Sequence, residues 1–208
     1  MKAVIFDLYG TLVYVDHSTH PYRTLLAKQA SAHAIQGLMT SDAKDTLKLA
    51  RAIGAELSPE DARALDQQAQ DEASRIRVFE EVPEVLKALK AQGMTLIVSS
   101  NLARLYGHAK VLLDGYIDYW NFSYETGLLK PDPSMFLGPA RAYGLAPQDC
   151  LVVGDSLLAD GKGAQAAGMP FLLLDRYDRH PTLPAVRDLT GLTGLPTALD
   201  SLPLLSRD

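Results

Sequence analysis

Apolar residues in this chain fall into two patterns, short unbroken runs and spaced helical stripes, and the two alternate along much of its length. The runs are Ala3–Phe6, Thr95–Ser99, Tyr119–Phe122, Cys150–Val153 and Phe171–Leu174. They are aliphatic and β-branched rather than alternating with polar residues, as strands buried on both faces should be, and so predict a parallel sheet. Between them, Pro83–Ala91, Leu102–Leu113, Ser134–Tyr143 and Asp160–Ala167 carry helical spacing, and each stops at a glycine, Gly93, Gly115, Gly144 or Gly168. Glycine just past a periodic run is a helix-ending signal because it takes the left-handed conformation cheaply. Strand and helix in alternation predict an α/β fold, a doubly wound three-layer domain.

The alternation is interrupted once. The stretch between the first strand and the Pro83 helix shows no strand signal and is dominated by Ala, Leu, Lys and Gln. Tyr22–Leu38, Ser41–Gly54 and Pro59–Ile76 read as helices. The third begins at Ser58-Pro59-Glu60-Asp61, an N-cap serine followed by proline at the first helical position. Three helices exceed what one strand crossover requires. The expected organisation is therefore a core made of residues 1–15 and 80–208, with residues 16–79 inserted as a helical cap over the sheet edge. The tail beyond Leu174 offers short helical turns and reads as a covering segment.

At 208 residues and 47% hydrophobic, the chain can bury one substantial core and a smaller module. Its net charge of −5 comes without basic runs or aromatic–basic interleaving, which argues against a nucleic-acid surface. The apolar runs are too short to span a bilayer, and nothing at the start reads as a signal peptide, so no membrane partner is expected. A lone cysteine, Cys150, fits a cytoplasmic protein. The pattern leaves monomer and homodimer equally open.

Candidate chemistry gathers at the ends of the predicted strands. Asp7 follows Val4-Ile5-Phe6 and precedes a Gly10-Thr11 turn, and a carboxylate there can act as nucleophile or metal ligand. Ile97-Val98-Ser99-Ser100-Asn101 ends in hydroxyls and an amide that can cradle an oxyanion or phosphate. Lys130 stands between two leucines and a Pro131-Asp132-Pro133 turn, a fixed ammonium able to neutralise a phosphoryl group. Leu151-Val-Val-Gly154-Asp155 ends in an acid, with Asp160 five residues on. Oxygen donors without nearby histidine or cysteine suit Mg²⁺ better than zinc. In a parallel sheet all four strand ends lie on one edge.

Together these motifs resemble the haloacid dehalogenase-like hydrolase superfamily over nearly the whole chain. Asp7-Leu-Tyr9-Gly-Thr-Leu matches the first signature, Ser100-Asn101 the second and Lys130-Pro131 the third. Gly154-Asp155-Ser-Leu-Leu-Ala-Asp160 with Gly163-Ala-Gln-Ala-Ala-Gly168-Met matches the fourth. The resemblance implies a Rossmann-like core with an inserted helical cap and a covalent aspartyl intermediate on Asp7. It implies catalytic roles for Asp7, Tyr9, Ser100 and Lys130, with Gly10, Thr11 and Asn101 around the substrate phosphate. Mg²⁺ would be held by Asp7, Asp155, Asp160 and the carbonyl of Tyr9. The expected substrate is a small phosphorylated molecule.

Tyr9 is the departure. Family phosphatases usually carry an aspartate at this place, which protonates the leaving alcohol and then activates water. A tyrosine with an ordinary pKa near 10 is a poor base at neutral pH. The family's 2-haloacid dehalogenases have tyrosine here, because halide leaves unprotonated. Yet they also lack the metal-ligating aspartate matched by Asp155 and place an arginine early in the cap. Here Gln29–Leu49 contains none, and Arg23 and Arg51 lie off that spacing. The retained acid pair favours a Mg²⁺-dependent phosphomonoesterase that prefers good leaving groups. A metal-independent 2-haloacid dehalogenase is the second reading, and a non-catalytic phosphate-binding protein the third. The His17/His20 pair, the hinge aromatics Tyr14 and Tyr22, and Asp175-Arg-Tyr-Asp-Arg179 read as surface, packing and a solvated turn, with the site rim as the alternative for each.

Overall fold

The computed structural model describes residues 1–28, 31–195 and 201–205. Five parallel strands form the central sheet: β1 (Ala3–Phe6), β4 (Thr95–Ser100), β5 (Tyr119–Phe122), β6 (Cys150–Gly154) and β7 (Phe171–Leu173). Their spatial order is β5-β4-β1-β6-β7, so the chain winds outward in both directions from β1. Along β1 alternate side chains enter two different cores. Val4 and Phe6 pack with Leu86, Leu89 and Leu96, whereas Ala3 and Ile5 pack with Ile97, Phe136 and Val152. An unbroken apolar run is therefore what this position demands, since each fully buried side chain of this size contributes about 1.5–3 kcal/mol. Helices α5 (Val82–Ala91), α7 (Ser134–Ala142) and α8 (Lys162–Ala166) cover the faces, and the short α6 (Ser123–Thr126) follows β5 directly. The four helix-ending glycines, 93, 115, 144 and 168, all have φ between 63° and 84°.

The predicted strands are all present. The helix expected over Leu102–Leu113 is a 3₁₀ segment, Arg104–Leu113, after an extended Ala103. The helix expected from Asp160 begins earlier, as a wide π-type turn over Leu157–Gly161 that runs into α8.

In the insertion, the expected helix Tyr22–Leu38 is two segments, α1 (Tyr22–Lys28) and α2 (Ala32–Thr40). They flank residues 29 and 30, which lie outside the described residues, and the Ser31 hydroxyl caps α2 by accepting from Ala34 N at 3.0 Å. Helix α3 spans Thr46–Ala52 and α4 spans Pro59–Ala73, capped by Ser58 as its sequence predicts. Leu25, Leu38, Leu49, Ile53 and Leu65 form the insertion's own core, closed by Ala103 from the sheet domain.

The absence of strand signal between the first strand and the Pro83 helix needs correcting. Val13–Val15 (β2) and Ile76–Val78 (β3) pair antiparallel, Val13 opposite Val78 and Val15 opposite Ile76. This ribbon carries the chain out to the helices and back. Three residues per strand are too few for a period to show, and Ile76 was absorbed into the helical stripe before it.

Candidate active site

The parallel register fixes the site. Phe6 lies opposite Val98 and Val153, so the next residues of β1, β4 and β6 emerge together at one sheet edge. Asp7 is anchored there by its own N–H, which donates to Val153 O at 2.9 Å. The residue is only 8% exposed. Oδ1 accepts from the Ser100 hydroxyl at 3.0 Å and from Lys130 Nζ at 2.6 Å. Among the described residues Oδ2 has no hydrogen bond, which leaves that oxygen as the available one.

Lys130 is 5% exposed, and its three ammonium protons all have acceptors: Asp7 Oδ1, Asp160 Oδ1 at 2.6 Å and Ser99 O at 3.0 Å. Burial alone would lower its pKa. The two carboxylates outweigh burial and hold the ammonium charged. Asn101 keeps the lysine in place: its side-chain amide donates to Lys130 O and accepts from Lys130 N, both at 2.9 Å. That amide is thus engaged with the lysine loop, which leaves the backbone N–H of Asn101 as the group the sequence reading assigns to substrate.

Asp160 folds back beneath the end of β6, where its Oδ2 accepts from Ser156 N at 3.1 Å. It comes so close to Gly154 that a Cβ there would collide with its carboxylate. Burial lifts the Asp160 carboxyl to about 6, Lys130 opposing and Asp7 adding to the rise. Asp155 is raised for the same first reason, burial, and by Asp7 beside it. Carboxylate oxygens of Asp7, Asp155 and Asp160 all lie within 4.8 Å of one another. Gly10, at φ 82°, leaves the space this needs, because a Cβ would sit 2.5 Å from Asp155 Oδ2. Three hard oxygen donors around one small space are the donor set a hydrated divalent ion such as Mg²⁺ takes.

The remaining sequence candidates separate. The Tyr9 hydroxyl is engaged with the backbone, donating to Tyr106 O at 2.8 Å. Burial, and then the charge of Glu72, push its phenol above the ordinary value. Gly10 N–H is engaged with Val13 O at 2.8 Å, closing the turn. Thr11 is fully buried, its hydroxyl without a hydrogen-bond partner.

Beside Asp155 lies a cavity of about 490 Å³, lined by Tyr9, Asn101, Tyr106 and Asp155 and by Tyr14, His20, Arg23, Leu26 and Met39. The aromatics and histidine at the hinge therefore reach the site, and so does Arg23, whose spacing in the chain had set it aside.

Two contributions were not legible. Glu72, 2% exposed at the end of α4, accepts from Tyr106 OH at 2.5 Å, His20 N at 2.9 Å and the Thr19 hydroxyl at 2.8 Å, and also from Thr19 N. It ties the insertion's outgoing linker to its returning helix and to the sheet domain. Arg179, in the segment read first as a solvated turn, reaches Asp155. A signal for either would have needed the tertiary pairing, since each partner lies far off in the chain.

This fold and acid-lined edge define a hydrolase class. Residues 1–168 match the model of the haloacid dehalogenase-like hydrolases, and the chain belongs to that family. Among characterised relatives, it is 30% identical to a phosphoserine phosphatase of Thermus thermophilus over 64% of this chain and 54% of that one. It is 29% identical to a phosphoglycolate phosphatase of Thiobacillus denitrificans over 82% of this chain and 81% of that one. Its fold is shared with a HAD phosphatase from Thermococcus onnurineus (TM-score 0.64, 24% identity, 92% and 96% of the two chains). It is shared equally with a 2-haloacid dehalogenase from Pseudomonas syringae pv. Tomato (TM-score 0.63, 24% identity, 97% and 99%). The fold alone therefore does not choose between the two chemistries. Among the described residues no helix is long and apolar enough to cross a membrane.

Proposed function

We propose that this hydrolase is a Mg²⁺-dependent phosphomonoesterase working through an aspartyl-phosphate on Asp7, with a preference for good leaving groups. The observation that carries the reading is the convergence of Asp7, Asp155 and Asp160 within 4.8 Å. Displacement of halide from carbon has no use for such a concentration of negative charge, which is unfavourable unless a cation balances it. Asp7, Asp155, Asp160 and the Tyr9 carbonyl would hold the ion. When bound, Mg²⁺ would screen the charge of a phosphoester from that of its nucleophile.

The rest is work for the chain's own side chains. Asp7 Oδ2 attacks phosphorus, the P–O bond to the leaving group breaks, and Asp7 carries the phosphoryl group. Ser100 and Lys130, both on Asp7 Oδ1, fix the carboxylate so that its other oxygen faces the substrate. Water then attacks phosphorus, releasing phosphate and restoring Asp7. Because the Tyr9 hydroxyl is engaged with Tyr106 O, no proton is delivered to the leaving oxygen from this position. Leaving groups that depart as stable anions, such as aryl oxides and carboxylates, are accordingly favoured. The cavity of about 490 Å³ suits a small phosphorylated metabolite.

The test compares p-nitrophenyl phosphate and acetyl phosphate with an alkyl phosphate, in Mg²⁺ and in EDTA. Turnover of the first two that vanishes in EDTA is expected, with the alkyl ester much slower. Equal rates on all three would remove the leaving-group argument. Tyr9 itself favours a second reading, the 2-haloacid dehalogenase, and chloride release from 2-chloropropionate in EDTA would decide for it.

A further inference from the structure

The segment after β7 is built around Asp175, which is fully buried. Its carboxylate accepts from Arg179 N at 2.9 Å and His180 N at 2.7 Å, and Arg187 Nη1 lies 2.9 Å from Oδ2. These bonds curl residues 175–180 into a tight turn, with Asp178 at φ 55°. Arg176 pins the same segment to the sheet domain, donating to Thr11 O at 2.8 Å and pairing with Glu81 at 2.6 Å. The turn delivers one side chain to the acid cluster. Arg179 Nη2 stands 2.8 Å from Asp155 Oδ2 and 3.4 Å from Asp155 O.

We propose that Arg179 is a built-in rival of the divalent cation for Asp155 and so sets the metal affinity of the site. The inference rests on the reading of Asp7, Asp155 and Asp160 as metal ligands. The cluster holds three carboxylates, and Lys130 is fully engaged with two of them, Asp7 and Asp160. Asp155 is the one left to Arg179, and it is the acid nearest solvent. The Arg179 side chain is 48% exposed and that of Asp155 is 21% exposed. Arg179 can therefore swing outward into water and leave behind a carboxylate that is itself part-exposed, whereas Lys130 is held between two nearly inaccessible acids. A divalent ion entering between Asp7 and Asp155 meets a carboxylate already partly neutralised and a positive charge one carboxylate away. Both effects weaken its binding.

An arginine on a metal-ligating carboxylate can also help, by orienting the ligand. The two roles predict opposite signs, which makes the test decisive. Mg²⁺ alone is titrated calorimetrically into the full chain and into Arg179→Gln, with Arg179→Lys as the variant that retains the charge. A rival gives tighter binding in Arg179→Gln, about two- to fivefold for a half-exposed pair, with Arg179→Lys near the unaltered protein. The rise in melting temperature on adding Mg²⁺ should likewise be larger in Arg179→Gln. Equal or weaker binding in Arg179→Gln overturns the proposal and leaves the metal site standing. No Mg²⁺ binding by any of the three proteins removes the metal reading, and this inference with it.

Discussion

Tyr9 and Lys130 show how differently single positions constrain this site. The Tyr9 hydroxyl bonds a backbone carbonyl of the sheet domain, and its ring stands edge-on to Tyr106 with centroids 5.8 Å apart. Replacing it with aspartate would place an acid–base group where the proposed reaction lacks one. Since positioned acid–base help is commonly worth about 10²–10⁴-fold, Tyr9→Asp should raise alkyl-phosphate turnover by at least about tenfold while changing p-nitrophenyl phosphate little. No change on the alkyl ester would mean the proton is supplied elsewhere. Lys130 is the opposite case, a buried cation between two acids. Lys130→Met would leave Asp7 and Asp160 facing each other uncompensated, at a cost of about 3–5 kcal/mol read from the urea midpoint. Asp7, Ser100, Lys130, Asp155 and Asp160 were legible in the sequence because each follows an apolar strand directly or lies in the turn beyond it, and parallel strands bring their ends together. Asn101 and Thr11 were legible only as polar residues near a strand end. Which way such a side chain turns depends on partners distant in the chain.

At the scale of elements, the join between insertion and sheet domain depends on Glu72. One carboxylate gathers donors from the outgoing linker at Thr19 and His20 and from Tyr106 in the 3₁₀ segment. His17 and His20 both sit at positive φ, near 55° and 50°, so this linker holds a backbone shape that side-chain-bearing residues rarely adopt. Glu72→Gln keeps the shape of the side chain but turns an amide donor toward groups that also donate. We expect a loss of about 1–3 kcal/mol and faster hydrogen exchange at the Thr19 and His20 amides. Unchanged exchange there would show that the linker is held by its own packing. The pH dependence has a definite sign. Burial raises the Glu72 carboxyl, but the donors from Tyr106, Thr19 and His20 outweigh it and leave the pKa lowered. Its stabilising contribution is thus complete above the ordinary glutamate value of about 4.3 and lost as pH falls through the lower folded value. The helices of the insertion could be read from periodicity and caps. The ribbon and the Glu72 clasp could not, since three-residue strands have no period and the clasp is written at Thr19, Glu72 and Tyr106, far apart in the chain.

For the molecule as a whole, the proposed metal site would couple ion, protons and stability through one acid cluster. Asp160 and Asp155 are both raised by burial, Asp160 to about 6. A carboxyl with a raised folded pKa binds its proton more tightly in the folded chain than in the unfolded one. Its effect is therefore opposite to that of Glu72: stability is greatest below the ordinary aspartate value of about 3.9 and falls as pH rises through about 6. Above that pH Asp160 is charged and the cluster gains more from a divalent ion, whereas below it a proton holds the Asp160 carboxyl. Binding to the folded state alone stabilises by about 2.7 kcal/mol at a hundredfold excess over the dissociation constant. For a chain of this length that corresponds to roughly 5–10 °C in melting temperature. We expect saturating Mg²⁺ to raise the melting temperature by such an amount at about pH 7.5, and by clearly less at about pH 5. Asp155→Asn should abolish the increment at both. An increment independent of pH, or one that survives in Asp155→Asn, would place the stabilising ion away from the strand ends where Asp7 stands.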